Sequence, residues 1–281
     1  MAALLRWVMG VIGCLVGVGC IAQPCVTLTG DAIQGGLLWG SVGPDIAVRF
    51  DNRDVPVASD GSFLLGLGRD APSQLTLEMK SNTVCQQTVM VAQRDYIVQR
   101  IEGVPQRTVT PPQDELDRIA RERVLVRDAK AARLERPDLL SAVKAGMRWP
   151  LLGPITGVYG SQRVYNGTPR SPHYGVDVAA PTGQPVRAPS HGVVTLAEPD
   201  LFYSGGTVIL DHGYGLSSSF LHLSKVSVSV GQEVAAGEVI GAVGATGRAT
   251  GPHLDWRMSW FDQRVDPQLL VPSMPASDKS P

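Results

Sequence analysis

Short apolar runs separated by glycine and other turn residues recur along most of this 281-residue chain. Examples are the five-residue runs 46–50 and 206–210, each bordered by Gly or Asp. Runs of this length between turn signals predict β-strands, since helices need longer periodic segments. The composition agrees, because 31 glycines and 21 prolines accompany only 6% aromatic residues. We therefore expect a mainly β protein.

The bulk composition excludes several classes of protein. Hydrophobic residues make up 43% of the chain and charged residues 18%, which is typical of a globular protein and not of a disordered one. Lys plus Arg count 25 against 26 Asp plus Glu, so the net charge of −1 gives no support for nucleic acid as a partner. With four cysteines, the chain is not a small disulfide scaffold.

The first 22 residues are expected to be a targeting segment rather than part of the fold. Arg6 precedes an apolar run of 16 residues, 7–22, which is short of the roughly 20 that a membrane-spanning helix needs. Small residues at the end of this run predict a signal peptide, 1–22, and an exported protein of the periplasm or cell envelope. An uncleaved anchor and a lipoprotein modified at Cys14 or Cys20 stay open as alternatives. We expect no transmembrane segment after signal removal.

Removal of the signal peptide would leave two cysteines, Cys25 and Cys85. In an exported protein such a pair favours one disulfide, here between residues 60 positions apart. Two buried free thiols are the alternative. No histidine stands near either cysteine in the sequence, so we interpret the pair as structural rather than metal-binding.

Two β-rich segments flank a stretch of different character. Residues 23–104 carry regularly spaced short runs and no histidine, which predicts a small β-sandwich domain. Residues 105–147 are rich in Arg, Asp, Glu, Ala and Leu and predict a helical linker. Residues 148–271 form a second β-rich domain, and the polar tail 272–281 is expected to be disordered.

Within the linker, one helix is expected from Gln113 to Glu135, and Pro137 ends it. Asp138 is the expected N-cap of a second short helix that runs to Lys144. A charged helix between two β-rich units is usually a solvated strut, and we favour that interpretation. The alternative is that the helical linker or the N-terminal domain binds a protein partner.

All five histidines lie in the second β-rich domain, and one of them begins a pattern that suggests a metal site. His173 and Asp177 are four residues apart, but Pro172 and Gly175 disfavour a helix that would put them on one face. On a straight strand they would be about 13 Å apart, too far to share a zinc ion whose ligands sit about 2 Å from the metal. A shared metal therefore requires a bend, which Gly175 permits.

The segment that begins at His253 alternates as a strand does, so His253 and Asp255 point to one side. Leu254 and Trp256 then point to the other side. A satisfied buried His–Asp pair without a catalytic role is the alternative. His222 stands between apolar neighbours on another expected strand, where a lone histidine is more often a core or surface residue than a catalytic one.

Taken together, these segments resemble the lysostaphin/LytM-type zinc endopeptidases over about residues 150–265. The resemblance rests on a run of glycines spaced between valines and on three motifs, His173-x-x-x-Asp177, His222-Leu223 and Thr246-Gly-x-x-Thr-Gly-Pro-His253-x-Asp255. It implies a C-terminal antiparallel β catalytic domain of this type, and a protein that hydrolyses the peptide cross-links of bacterial peptidoglycan.

The resemblance also implies a role for each matched position. His173 and Asp177 match the first two zinc ligands, and Asp255 stands at the position of the third. His253 matches the general base that takes a proton from the metal-activated water. His222 matches the histidine that positions this water or stabilises the developing charge.

Asp255 is the main departure from the family pattern, which has histidine there. Carboxylate oxygen is an accepted zinc ligand, but a His/Asp/Asp set carries one more negative charge than His/Asp/His. We therefore expect a less acidic bound water and a weaker Lewis acid. Zn²⁺ is the expected cofactor, with Mn²⁺ or another harder divalent ion as an alternative at an oxygen-rich site. A decayed site, marked by Asp255, is the rival interpretation.

The leading hypothesis is thus a zinc metalloendopeptidase that acts on peptidoglycan. A catalytically inactive family member that binds and activates other cell-wall hydrolases is the second hypothesis, and a wall-binding module led by residues 24–104 is the third. The loops 165–171 and 200–205 are expected to line the substrate groove. His191 and His212 match no functional position and are interpreted as structural, the latter in a hairpin turn.

Overall fold

A computed structural model describes the protein over residues 25–102 and 113–275. The predicted signal peptide, the linker residues 103–112 and the last part of the tail, 276–281, lie outside the described residues. Within the described ranges, no helix has the length and apolar character needed to cross a membrane. The structure is mainly β, as the sequence predicts.

The first strands of the chain form two small antiparallel sheets. They are β1 (Thr29–Gly30), β2 (Leu37–Ser41), β3 (Ala47–Phe50), β4 (Arg53–Val55), β5 (Ser62–Gly66), β6 (Gln74–Lys80) and β7 (Val84–Met90), followed by β8 (Val98–Ile101). One sheet has the order β1-β2-β5 and the other β4-β3-β6-β7. In β6 the alternate residues Leu75, Leu77 and Met79 are buried, so one face of the four-stranded sheet enters the core.

Cys25 and Cys85 are joined in a disulfide, with their Cα atoms 6.0 Å apart. The bridge ties the start of the described chain to strand β7 of the four-stranded sheet. This is the pairing that the sequence favours over two free thiols.

The second β-rich unit is built around one large sheet. Its strands are β9 (Ile155–Gly157), β10 (Gln162–Tyr165), β11 (Thr168–Pro169), β12 (Val176–Ala179), β13 (Pro185–Arg187), β14 (Gly192–Leu201), β15 (Gly205–Asp211), β16 (Leu216–Leu223), β17 (Lys225–Val226), β18 (Glu233–Val234), β19 (Val239–Ala242), β20 (His253–Trp260) and β21 (Gln263–Val265). The large sheet has the order β18-β14-β15-β16-β20-β12-β9, and β21 also pairs with β20. All of its neighbouring strands are antiparallel.

Smaller elements complete this unit. β13, β19 and β17 form a three-stranded sheet, and a 3-10 turn, Pro267–Leu270, follows the last strand. β8 pairs with β10 in parallel, with Val98 opposite Gln162, so a strand from the first β-rich segment extends the second. The predicted antiparallel arrangement describes the large sheet, but this pair departs from it.

Helix α1 (Gln113–Ala131) and helix α2 (Pro137–Lys144) occupy the predicted linker. The first predicted helix is too long, because α1 ends four residues before Glu135. The proline ends no helix; it lies in the first turn of α2, where its missing N–H costs nothing. The N-cap of α2 is Arg136, and the predicted cap, Asp138, instead accepts hydrogen bonds from the Arg136 side chain.

Helix α1 lies on the large sheet rather than spanning solvent. Val126 and Ala129 of the helix pack against Leu196, Leu201 and Ile209 of β14 and β15. The favoured interpretation of this helix as a solvated strut is therefore wrong for the side that faces the sheet. Burial of apolar side chains on that side stabilises the contact between the helix and the sheet.

The two β-rich units share one hydrophobic core. Phe50 of the first unit packs edge-on against Trp260 of β20, with the ring centroids 6.4 Å apart. Gly66 makes room for the same tryptophan, since a Cβ there would lie 2.7 Å from Trp260 Cβ. Arg94 Nη1 donates to Asp266 Oδ2 at 2.8 Å across the same boundary. The division into separate domains stays a prediction.

Candidate metal centre

His173 and Asp177 meet because the chain turns between them. Asp177 lies on β12 and His173 in the loop before it, and His173 Nε2 is 3.1 Å from Asp177 Oδ1. The required bend is present, but Gly175 contributes space rather than a special backbone angle. A Cβ on Gly175 would lie 2.6 Å from Asp255 Oδ1 and 2.6 Å from the carbonyl oxygen of Trp256. A larger residue would therefore push into the site.

Asp255 completes a cluster of three possible ligands. It lies on β20 directly opposite Asp177 on β12. One ligand atom from each of His173, Asp177 and Asp255 lies within 4.8 Å of the others. Two of these atoms, His173 Nε2 and Asp177 Oδ1, are buried and have no hydrogen-bond partner among the described residues. Buried polar atoms are rarely left in this state, so the pair calls for a ligand.

Arg257, which no sequence motif indicated, binds the carboxylate of Asp255. Its Nε donates to Oδ1 at 3.0 Å, and its Nη2 donates to Oδ2 at 2.5 Å. Burial by itself would raise the pKa of Asp255, but the Arg257 guanidinium overrides this effect and lowers that pKa. The alternation of β20 could have identified Arg257, because it follows Asp255 by two positions on the same strand face.

This arginine changes the charge of the site. His173, Asp177 and Asp255 together carry two negative charges when the histidine is neutral, and the Arg257 guanidinium brings the sum to −1. That sum equals the charge of a His/Asp/His set. The expectation of a weaker Lewis acid was based on the charges of the three ligands alone. Because Arg257 offsets the additional negative charge of Asp255, that reason no longer holds.

His253 and His222 approach the cluster side by side, with their ring centroids 4.9 Å apart. His253 Nε2 is 3.9 Å from Asp177 Oδ1. Nδ1 of His253 lies 2.8 Å from the carbonyl oxygen of Gly251, and Nδ1 of His222 lies 2.8 Å from that of Thr246. A carbonyl oxygen only accepts, so each Nδ1 carries the proton and each Nε2 is free to accept one.

His222 is held in an unusual backbone conformation. Its φ is +64°, a region that costs a residue other than glycine about 1–3 kcal/mol. Its N–H donates to the carbonyl oxygen of Ser204 at 2.8 Å, which helps to hold the kink. Burial lowers the pKa of the His222 ring, so the ring is neutral near pH 7. The sequence predicted the strand but not this local kink.

The remaining histidines stand apart from the cluster. His212 is fully buried beside the turn between β15 and β16, with Nδ1 2.7 Å from the carbonyl oxygen of His191 and Nε2 2.6 Å from Ser218 Oγ. This geometry agrees with a structural role for His212 and His191.

The donor set fits a divalent metal ion. One imidazole nitrogen and two carboxylates are ligand types that zinc accepts. His173 Nε2 and Asp177 Oδ1, which form no hydrogen bond within the described ranges, face each other at 3.1 Å. Arg257 Nε is the one donor to Asp255 Oδ1 among the residues that the structure describes, so lone-pair capacity remains on that oxygen.

Comparison with known proteins identifies the family. The model of Peptidase family M23 matches residues 171–267. A crystal structure from Pseudomonas aeruginosa, named as a peptidase M23, matches with a TM-score of 0.65 and 30% identity, over 86% of this chain and 95% of that chain. The chain belongs to peptidase family M23. The resemblance to LytM-type endopeptidases and the mainly β fold are thereby confirmed.

Curated relatives match this chain over a shorter stretch. DD-carboxypeptidase/endopeptidase Mpg of Neisseria meningitidis is 42% identical over 111 residues, which is 38% of this chain and 25% of that protein. Peptidoglycan DD-endopeptidase ShyA of Vibrio cholerae is 40% identical over 105 residues, which is 37% of this chain and 24% of that protein. The match thus spans about a quarter of the length of these relatives.

Proposed function

We propose that this M23 member is a metal-dependent endopeptidase that hydrolyses peptide cross-links of bacterial peptidoglycan after export to the periplasm or cell envelope. The observation that carries the proposal is the close approach of two buried atoms, His173 Nε2 and Asp177 Oδ1, that form no hydrogen bond with any described residue and lie beside the Asp255 carboxylate. The name of the Vibrio relative, a peptidoglycan DD-endopeptidase, supports the substrate class. Zn²⁺ is the proposed ion, and Mn²⁺ is the alternative.

Five side chains have distinct roles in the proposed chemistry. An ion held by His173, Asp177 and Asp255 would supply Lewis acidity and a water that loses its proton near neutral pH. His253 accepts that proton at Nε2, because its Nδ1–H is committed to a carbonyl oxygen. His222 likewise presents an unprotonated Nε2, which supports positioning of the water over donation to a developing negative charge.

A regulator without catalytic activity is the second candidate, and one observation favours it. Both oxygens of Asp255 already bind Arg257, so a guanidinium charge lies where the family pattern has a neutral histidine. If this cation excludes the metal ion, the protein keeps the M23 fold and binds other hydrolases instead.

Metal content and cleavage, measured on the same preparations, separate the two candidates. The chain from residue 23 is analysed for bound metal and for release of soluble muropeptides from purified peptidoglycan. The enzyme predicts about one ion per chain and release that is lost in His173→Ala and His253→Ala. His191→Ala, at an exposed histidine away from the cluster, is the matched control and should keep both properties. No bound ion and no release with any divalent ion would favour the regulator.

The regulator can be tested further by restoring the family pattern. Asp255→His alone would set an imidazole against the Arg257 guanidinium, so it is combined with Arg257→Gln. Metal binding and cleavage gained only in this double variant would identify the Asp255–Arg257 pair as the point of decay.

A further inference from the structure

A cavity of about 650 Å³ lies between helix α1 and the face of the large sheet. Val126 and Lys130 line it from the helix, and Ser219, Arg257 and Arg264 line it from the sheet. Its volume falls within the range of small-molecule sites, about 300–1,000 Å³. Arg257 lines the cavity and also binds Asp255, so the cavity adjoins the candidate metal centre.

Positive charge is concentrated around this cavity. Seven of its lining residues are basic and two are acidic, although the whole chain has a net charge of −1. Arg257 has Asp255 as its partner, whereas Lys130 and Arg264 form no ion pair with any described residue. Both instead reach the hydroxyl of Ser259, Lys130 Nζ at 3.4 Å and Arg264 Nη1 at 2.8 Å.

The gathered cations are held at a cost in free energy. Burial lowers the pKa of Lys130 well below its usual value, and the nearby Arg264 and Arg257 lower it further, against the opposing effect of Asp255. Burial also lowers the pKa of Arg264. Lys130 and Arg264 are partly buried without an ion-pair partner among the described residues, and charges in such positions concentrate at functional sites. A bound anion would relieve this repulsion.

The floor of the cavity also offers an unused hydroxyl group. Ser219 is 4% exposed and stands opposite Arg257 in the pairing of β16 with β20. Its Oγ is buried without a hydrogen-bond partner among the described residues. Ile119, Val126 and Leu221 line the same space with apolar atoms. Cationic and hydroxyl donors beside apolar walls suit a carboxylate carried on a short aliphatic body.

We propose that this cavity binds a free carboxylate of a short acidic peptide, with Lys130, Arg264 and Ser219 as donors. The inference rests on the proposed function, because a peptide cleaved beside Asp255 would extend past Arg257 into the cavity. An arginine fork matches a carboxylate in shape and charge. Helix α1 then forms one wall of the substrate site and is more than a linker.

Calorimetry on the metal-free exported chain tests this proposal without depending on turnover. The probe is the stem tetrapeptide L-Ala-γ-D-Glu-meso-diaminopimelate-D-Ala, compared with the same peptide amidated at every carboxylate. We expect the amide to bind at least about tenfold more weakly than the acid, and Lys130→Met to weaken binding of the acid by a similar factor. Ser219→Ala should cause a smaller loss. Lys144→Met, at an exposed lysine of α2, is the matched control and should bind as the wild type does.

Lys130→Met replaces a partly buried amine, which has no ion-pair partner among the described residues, with an apolar side chain, so the melting temperature should stay equal or rise. Lost binding cannot then be ascribed to unfolding. Equal binding of acid and amide, or wild-type affinity in Lys130→Met, would overturn the proposal. Displacement of the peptide by an equal concentration of inorganic phosphate would overturn it too, since the cavity would then bind anions in general. Acid-specific binding in a chain that takes up no metal and releases no muropeptides would overturn only the proposed function.

Discussion

At the scale of single residues, Arg257 determines how Asp255 behaves in the candidate metal centre. Asp177 and Asp255 stand directly opposite each other in adjacent strands, where like charges repel. Asp255 is only 2% exposed, so water does little to screen its charge. The guanidinium of Arg257 offsets the negative charge of Asp255 in place of solvent.

Arg257→Met is expected to lower the free energy of unfolding of the metal-free chain by about 3–5 kcal/mol, because it leaves a buried carboxylate without its cation. Zn²⁺ should restore part of this loss, since it brings positive charge next to Asp255. Urea denaturation with and without Zn²⁺ measures both effects. If the double variant Arg257→Met/Asp255→Leu is as unstable as the single one, the loss comes from packing and not from charge.

Gly175→Ala is expected to weaken Zn²⁺ binding at least about tenfold, because its Cβ would lie 2.6 Å from Asp255 Oδ1 and displace that carboxylate. Competition with a chromogenic chelator measures the affinity. Gly251→Ala is the matched control, since no atom of the described residues, apart from its two neighbours in the chain, lies within 4 Å of the place its Cβ would take. A similar loss in both variants would point to backbone flexibility instead of space.

At the scale of elements, two buried titratable groups at the turn between β15 and β16 have opposite effects on how stability depends on pH. Burial raises the pKa of Asp211 to about 6, against hydrogen bonds from backbone N–H groups that include Gly213. Burial lowers the pKa of His212 to about 4. The Asp211 contribution to stability is lost as pH rises through about 6, whereas the His212 contribution is lost as pH falls from about 6.5 towards 4.

Asp211→Asn isolates one of these two effects. The free energy of unfolding of the variant, relative to the wild type, should increase by about 3 kcal/mol between pH 4 and pH 8, because the wild type alone must ionise a buried carboxyl. Urea denaturation across this pH range measures the difference. Asp54→Asn, at a side chain that is 99% exposed, should show no such trend. A pH-independent difference for Asp211→Asn would mean that Asp211 does not titrate in this range.

At the scale of the whole molecule, the two β-rich units behave as one packed body. Phe50 contacts Trp260 across their boundary, and strand β8 pairs with β10. The Cys25–Cys85 disulfide lies within the first unit, and the hydrophobic core that it constrains is continuous with that of the second. Loss of the bridge should therefore destabilise both units together.

The free energy of unfolding of Cys25→Ser/Cys85→Ser is expected to be about 4 kcal/mol lower than that of the wild type, because the bridge closes a loop of 60 residues. In a Trp39→Phe background, the remaining tryptophans of the chain from residue 23 onward lie in the second unit. Their fluorescence should follow the same single transition as far-UV circular dichroism. Two separate transitions would contradict a shared core and support independent domains.

Local patterns predicted much of the site. The alternation of β20 placed His253 and Asp255 on one face of the strand, and Arg257 lies on the same face. The metal-ligand motif did not indicate that Arg257 binds Asp255. The bend before Asp177 was predicted from ligand distances, but the reason for Gly175 was not, because the colliding atoms belong to a strand 80 positions later. The kink at His222 left no signal, since it depends on hydrogen bonds to distant loops.

The sequence by itself determined the mainly β class, the family and the residues that could bind a metal ion, because strand alternation and motif spacing act over a few neighbouring positions. Only the tertiary structure decided that helix α1 lies on the large sheet and that Lys130 meets Ser259, residues far apart along the chain. It also decided that the two β-rich units share one core. Such contacts follow from burial of apolar surface across the whole chain, which no local pattern encodes.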